Sequence, residues 1–366
     1  MTPSTSLSAL LLLTALPALG CTTPAEEAPA DAAEPDALVD APAPQGLQVA
    51  PQTWTFVPID GMRCADGSAT GIGVRLEPQS KELMLYLQGG GACSTGETCW
   101  VSRNAAHVDG YGPTEFAQDG LLQNYALLDP SATSGNPFAA MTMVMVPYCT
   151  GDAHSGRAIR DLDVRGTPKT TYFVGAINLD LALRRLAAAF PSLERVWLVG
   201  TSAGGGGATF NYSRVASALR VPVHSVIDSA PGFYTPGDEQ KWQTWGVEPP
   251  CAGCDTVAEV RAYNRQLAPA TRYGFLSFAF DPTTADGRSP TEFTRDLGEV
   301  LATVQADPNG RTFVADNSSY DCAKLPRGSC HVVTTKNRPA SLRAAYLAWL
   351  RAMVAGTGWN NVTAPL

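Results

Sequence analysis

The sequence predicts an α/β fold in which a mostly parallel central sheet is covered by helices on both faces. Three observations carry that expectation. Short, almost unbroken apolar runs recur at Lys81–Leu87, Ala140–Val146, Val196–Val199 and Val223–Ile227, the pattern of strands buried on both sides. Between and after them lie segments with apolar residues at helical spacing, Gly175–Phe190 and Ala340–Ala355. Several of the apolar runs end directly in glycine-rich or acid-bearing turns, the place where open parallel sheets carry their functional groups.

Taken in order, Thr53–Pro58 reads as an opening strand, followed by the turn-rich stretch Cys64–Gly71 and a second strand over Ile72–Leu76. Lys81–Leu87 runs straight into Gln88-Gly89-Gly90-Gly91-Ala92-Cys93. Ala140–Val146 leads to Pro147-Tyr148-Cys149. The helix Gly175–Phe190 is stopped by Pro191, since proline cannot continue an α-helix. Val196–Val199 precedes Gly200-Thr201-Ser202-Ala203-Gly204, and a helix is expected over Ala208–Leu219. Val223–Ile227 ends at Asp228, and a strand over Arg272–Phe280 ends at Asp281. No internal repeat is visible.

The first fifty residues have a different character. Leu7–Cys21 is too short to span a bilayer, and its apolar core closes on Ala18-Leu19-Gly20-Cys21, so residues 1–21 read as an export signal of lipoprotein type with Cys21 as the lipidated residue. Residues 22–50 are rich in Ala and Pro, carry six acids and no base, and are expected to form a disordered tether. Removing those six from the 34 acids of the chain leaves 28 against 26 bases in residues 51–366, which read as one catalytic domain. That part is close to neutral and has no basic tract for nucleic acid. The only expected membrane contact is the lipid on Cys21.

Apart from Cys21 there are eight cysteines, an even number in a chain expected to be exported, which suggests disulfides. Cys251-Ala-Gly-Cys254 has a zinc-ligand spacing, but no second ligand pair accompanies it, and a disulfide is favoured there too.

The chemistry centres on Ser202. A serine hydroxyl becomes nucleophilic when it stands exposed beside a base, and a sharp strand-to-helix turn with glycines two residues to either side gives that exposure. The following helix turns its free N–H groups toward the site, where they favour developing negative charge. Gly90 and Gly91, at the C-terminal end of an earlier strand, and Ala203, directly after the serine, are the expected oxyanion donors. The phosphate-binding alternative for the glycine loop lacks the Lys-Ser/Thr that should follow it. The histidines are His107, His154, His224 and His331. Chain order Ser–acid–His leaves the last two. His224 lies inside an apolar strand, as a core histidine would, so His331 is the expected base. Asp281, closing the run Phe275–Phe280, is the expected acid, with Asp228 in reserve and a bracing role as its alternative.

These residues together resemble the pectin acetylesterase/Notum family of carboxylesterases. The resemblance rests on Cys64-x-Asp-Gly-Ser-x-x-Gly71, Leu87-Gln-Gly-Gly-Gly-Ala-Cys93, Pro147-Tyr-Cys149, Gly200-Thr-Ser-Ala-Gly-Gly205, Asp228-Ser229, Phe280-Asp281 and Cys330-His331. It implies an α/β-hydrolase fold, a triad of Ser202, Asp281 and His331, and disulfides Cys64–Cys149 and Cys93–Cys99. Cys322–Cys330 is implied beside the base, and Cys251 then pairs with Cys254. No metal or organic cofactor is implied. The expected activity is removal of an acyl group, by family default acetyl, from an esterified polysaccharide such as pectin. A long-acyl or lipid esterase and a non-catalytic glycan-binding scaffold are the alternatives. Two departures concern the expected pocket wall. Plant and animal members usually carry an aromatic residue where this chain has Gly91, and Ser-Gly where it has Ser229-Ala230. Trp242 and Trp245 read as a sugar platform, a lipid-facing cap or ordinary packing of an insertion.

Overall fold

The structure is a computed structural model describing residues 47–131, 133–317 and 330–364. The expected export signal, Cys21, residues 22–46 of the expected tether, and Cys322 with its expected bond to Cys330 lie outside the described residues. Leu47 and Val49, assigned to the tether by composition, instead pack against the apolar core.

The strands are β1 (Trp54–Arg63), β2 (Ala69–Arg75), β3 (Glu82–Leu87), β4 (Thr142–Val146), β5 (Ala158–Val164), β6 (Thr167–Phe173), β7 (Arg195–Thr201), β8 (Val223–Asp228), β9 (Tyr273–Phe278) and β10 (Gly310–Ala315). Eight of them form one sheet in the order β1-β2-β4-β3-β7-β8-β9-β10. β1–β2 and β2–β4 pair antiparallel, and every other pairing in that sheet is parallel. The helices are α1 (Pro113–Gln118), α2 (Leu121–Asn124), α3 (Gly175–Ala189), α4 (Ala203–Phe210), α5 (Tyr212–Leu219), α6 (Asp238–Trp245), α7 (Val257–Leu267), α8 (Pro290–Ala306) and α9 (Ala340–Ala355).

Alternation along the central strands divides the core. Leu83, Leu85 and Leu87 of β3 with Val196 and Leu198 of β7 face one side, against Ile177 and Leu183 of α3, Val215 of α5 and Leu297 of α8. Met84 and Tyr86 with Trp197 and Val199 face the other, against Tyr346, Trp349 and Leu350 of α9. Each such large side chain contributes roughly 1.5–3 kcal/mol by leaving water, so the central strands, covered on both faces, are apolar at most positions. The Cys64–Cys149 disulfide ties the β1–β2 turn to the segment after β4, across 85 residues of chain. By loop entropy, closing a loop of that length is worth about 4–5 kcal/mol.

Several expectations shift. β1 and β2 extend beyond or start before the expected spans, because their antiparallel ladder needs no continuous apolar run. The expected single helix over Ala208–Leu219 is two: α4 begins at Ala203, and α5 follows a break at Asn211. Asn211 sits there because its amide donates to the carbonyls of His154 and Gly207 (2.8 and 2.9 Å). β9 ends at Phe278, three residues short of Asp281; the connecting Phe280 is held by reciprocal hydrogen bonds with Asn317 (2.7 and 2.6 Å). The β5–β6 hairpin, helices α6–α8 and strand β10 carry no expectation from sequence.

Candidate active site

The C-terminal ends of the parallel strands β3, β7, β8 and β9 bring the candidate residues to one edge of the sheet. Ser202 stands between β7 and α4 with φ +53 and ψ −126, a conformation non-glycine residues rarely hold. Its N–H donates to the carbonyl of Asp228 (2.8 Å), which fixes the elbow to the neighbouring strand. The glycines around it mark close backbone approaches. A Cβ at Gly200 would collide with the carbonyl of Gly204, and one at Gly204 with that of Leu87. These contacts override the low helix propensity of the run Gly204–Gly207 and let α4 start immediately after the serine.

The half-buried His331 links the other two groups. Its Nε2 lies 2.7 Å from Ser202 Oγ and its Nδ1 2.7 Å from Asp281 Oδ2. Asp281 is fully buried, and its Oδ1 accepts the backbone N–H of Thr283 (3.0 Å) and of Thr284 (3.4 Å). The acid is therefore aimed by its own turn. Asp228, the reserve acid, is buried at the end of β8; its carboxylate is occupied by residues 333 and 334 and by Ser229.

The glycine loop is set against the serine: a Cβ at Gly89 would collide with the Thr201 carbonyl and lie 2.9 Å from Ser202 Cβ. Gln88 anchors the loop. Its side chain accepts from Tyr148 N–H (2.9 Å) and donates to Asp119 (2.8 Å), and its carbonyl contacts His154 Nε2 (2.8 Å). Cys93–Cys99 closes the far side of the loop. Gly91 has φ +78, and a Cβ there would collide with the Asn104 carbonyl. The departure from an aromatic residue at this position is thus a backbone change, because loop 104–106 occupies the space. At the second departure the Ala230 methyl lies 2.6 Å from where a Gly205 Cβ would stand, so it packs against α4 beside the elbow.

The remaining expectations resolve by contact. Trp245 is buried and donates to the Cys93 carbonyl (2.7 Å), so it is packing rather than platform or cap. Trp242 is half-buried and stacks edge-on against Phe210 at 4.9 Å, in the same apolar cluster as Ala203. Cys251 and Cys254 form a disulfide, not half of a zinc site. His224 is in the core, against Trp197, with Nδ1 accepting from Arg272 N–H (2.8 Å). Its 48-residue reach to Arg272 leaves no local sequence signal.

Burial alone pushes His154 down to about 4; burial and then the nearby cations Arg272, Arg195 and Arg265 do the same to His224. Both are neutral in the folded state, whereas an unfolded histidine takes up a proton near pH 6.5. Between those values the unfolded chain binds more protons, so stability falls as pH drops from about 6.5 toward 4. Asp152 and Asp228, raised by burial, act oppositely in the window just above the usual carboxylate range. From pH 7 to 5.5 the two histidines together are expected to remove about 2–3 kcal/mol. Urea unfolding at the two pH values checks this, and an unchanged midpoint would refute it.

A serine hydrogen-bonded at a strand-to-helix elbow to a histidine, itself paired with a buried carboxylate, on the C-terminal edge of a largely parallel sheet, defines an α/β-hydrolase. The comparisons narrow the class. The sequence model of the pectinacetylesterase family matches residues 48–245, and the chain belongs to that family. The matched stretch includes Gly90, Gly91, Ser202 and Ala203 and ends before Asp281 and His331. Similar proteins include the palmitoleoyl-protein carboxylesterase NOTUM of Schmidtea mediterranea, 30% identical over 183 residues (46% of this chain, 32% of that protein). The Homo sapiens NOTUM is 30% identical over 163 residues (43% and 30%). The match thus spans about a third of the length of these relatives. The solved structure of the Drosophila Wnt deacylase Notum superposes with a TM-score of 0.51 at 19% identity, covering 72% of this chain and 84% of that one, which supports the fold.

Proposed function

We propose that this protein is an exported serine carboxylesterase that removes an acyl group, acetyl first among the candidates, from an esterified polysaccharide such as pectin. The observation that carries the reading is the hydrogen-bonded chain Asp281–His331–Ser202 at the strained elbow. In the proposed reaction His331 Nε2 takes the proton of Ser202 as Oγ attacks the ester carbonyl. Asp281 holds the proton on Nδ1 and offsets the charge of the imidazolium. The backbone N–H of Ala203, with those of Gly90 and Gly91, stabilises the oxyanion, each such donor being worth roughly 3–4 kcal/mol of barrier. The imidazolium then protonates the leaving alcohol, and water attacks the acyl-enzyme with His331 again as base. No step calls for a metal or organic cofactor.

Export is supported by the three disulfides among the described residues, which fit an oxidising compartment, and by the signal-like N-terminus with Cys21 as its lipidation site. The near-neutral charge of residues 51–366 fits an ester of carbohydrate better than nucleic acid. The family description supports acetyl on pectin, whereas the relatives named for palmitoleoyl-protein favour a long acyl chain.

Hydrolysis of nitrophenyl esters from acetyl to octanoyl, beside acetate release from acetylated pectin, separates these. The expected result is a maximum at acetyl with acetate released from pectin. A maximum at octanoyl transfers the reading to long-acyl esters. A folded protein inert toward every ester would overturn the esterase reading in favour of a glycan-binding scaffold.

A further inference from the structure

The candidate base is carried on a loop, residues 331–334, that belongs to no helix or strand. A loop is a poor platform for a ring that must meet two partners at 2.7 Å, unless something rigid supplies the register. Here the end of β8 does so. The buried Asp228 carboxylate accepts the backbone N–H groups of Val333 and Thr334, both at 2.9 Å, and the Thr334 hydroxyl at 2.7 Å. The Ser229 hydroxyl donates to the same carboxylate (3.0 Å) and accepts the N–H of Val332 (3.0 Å). Three consecutive N–H groups after the histidine are thus met by two adjacent side chains. Their spacing has a cost in backbone freedom, since Ser229 and Val332 both sit at positive φ, +55 and +60. On the other side of the loop the buried Arg338, lying over Phe278 at 5.0 Å, donates to the carbonyls of His331 and Val332. N–H groups and carbonyls of the same few residues are therefore held from opposite directions.

The same Asp228 also carries the carbonyl that accepts Ser202 N–H. One residue at the end of one strand fixes the backbone of the nucleophile and the backbone of the base. We propose that Asp228 and Ser229, with Thr334 and Arg338, are positioning residues that set the distance between Ser202 Oγ and His331 Nε2. Asp228 serves here as a backbone clamp and touches no reacting atom. This rests on the catalytic reading of Ser202 and His331 above.

The test is kinetic, with the fold controlled. Asp228→Asn places an amide NH2 among N–H and O–H donors, so at least one of its hydrogen bonds is lost and the loop shifts. An ångström-scale shift of this kind typically costs about 10²-fold in rate. The expected result is a fall in kcat of about that size with KM within about twofold, and a parallel fall in the rate of Ser202 phosphonylation by a fluorophosphonate, per mole of folded protein. Because a buried Asp→Asn variant can fail to fold, Thr334→Val and Thr334→Ser provide a second pair. The valine, nearly isosteric but without the hydroxyl, is expected to lower kcat about tenfold, and the serine to restore it. A merely structural role would lower Tm and leave kcat per folded molecule unchanged. Folded Asp228→Asn or Thr334→Val with kcat within twofold of wild type would overturn the proposal. Ser202→Ala retaining full activity would instead overturn the catalytic reading itself, so the two failures are distinguishable.

Discussion

Ser202→Ala is expected to reduce kcat on a nitrophenyl ester by about 10⁵–10⁶-fold, with Tm and circular dichroism close to wild type. The magnitude follows from what the hydroxyl does in the proposed reaction. Without Oγ there is no acyl-enzyme, and the residual rate comes only from the oxyanion donors and substrate positioning, typically 10³–10⁴ above water. At 1.36 kcal/mol per factor of ten the loss corresponds to about 7–8 kcal/mol of barrier. The fold should tolerate the change. The side chain is half-buried and its Oγ hydrogen-bonds His331, while the Ser202 N–H bond to the Asp228 carbonyl is kept in the alanine variant. Alanine carries the same Cβ as serine at φ +53, so the strain at the elbow is not increased. Retained activity above a tenth of wild type would remove Ser202 from the mechanism.

The parts of this molecule that could be read from sequence are those where structure forces a local pattern. β3, β4, β7 and β8 lie inside the sheet, buried on both faces, so most of their residues are apolar, with polar residues at strand ends and at His224 and Ser225 of β8. The elbow announces itself because backbone crowding at Gly200 and Gly204 excludes every Cβ. His331 could be singled out because four histidines and a chain-order rule leave few choices. What escaped is either exposed or long-range. β6, Thr167–Phe173, contains Pro168 and is mostly exposed, so it shows no buried-strand signature, although it pairs with β5 over seven residues. Helices α7 and α8 did leave signals, the capping boxes Thr256–Glu259 and Ser289–Glu292, the second followed by a proline in the first turn. The start of α4 is hard to read because four consecutive glycines argue against helix by propensity, while the contacts that demand Gly204, Gly205 and Gly207 come from β3 and from residues 153–154 and 230. Asp228 could be read as a strand-end acid with a bracing role, but its link to the loop after His331 had no local sign, since those partners lie 105 and 106 residues further along.

Asp281→Asn is expected to lower kcat about 10⁴-fold while leaving KM within a few-fold and the fold intact. The geometry dictates which way the new amide turns. Oδ1 of Asp281 accepts two backbone N–H groups, from Thr283 and Thr284, and an NH2 group in that position would face donors. The carbonyl oxygen of asparagine must therefore take the Oδ1 place, which turns the NH2 toward His331 Nδ1, now 2.7 Å from a carboxylate oxygen. The ring answers by accepting at Nδ1 and carrying its proton on Nε2, the atom that faces Ser202 Oγ. A protonated Nε2 cannot take the serine proton, so the nucleophile is silenced by a tautomer rather than by a displaced group. A loss near 10⁴-fold is the size seen when a triad carboxylate is replaced in this way in another serine hydrolase. Kinetics of the folded variant check the expectation, and a loss under tenfold would mean that Asp281 does not orient the base. Asp228 cannot take over that task. Both of its oxygens already accept from the backbone and hydroxyls of Ser229, Val333 and Thr334, so no lone pair of Asp228 is left for the imidazole.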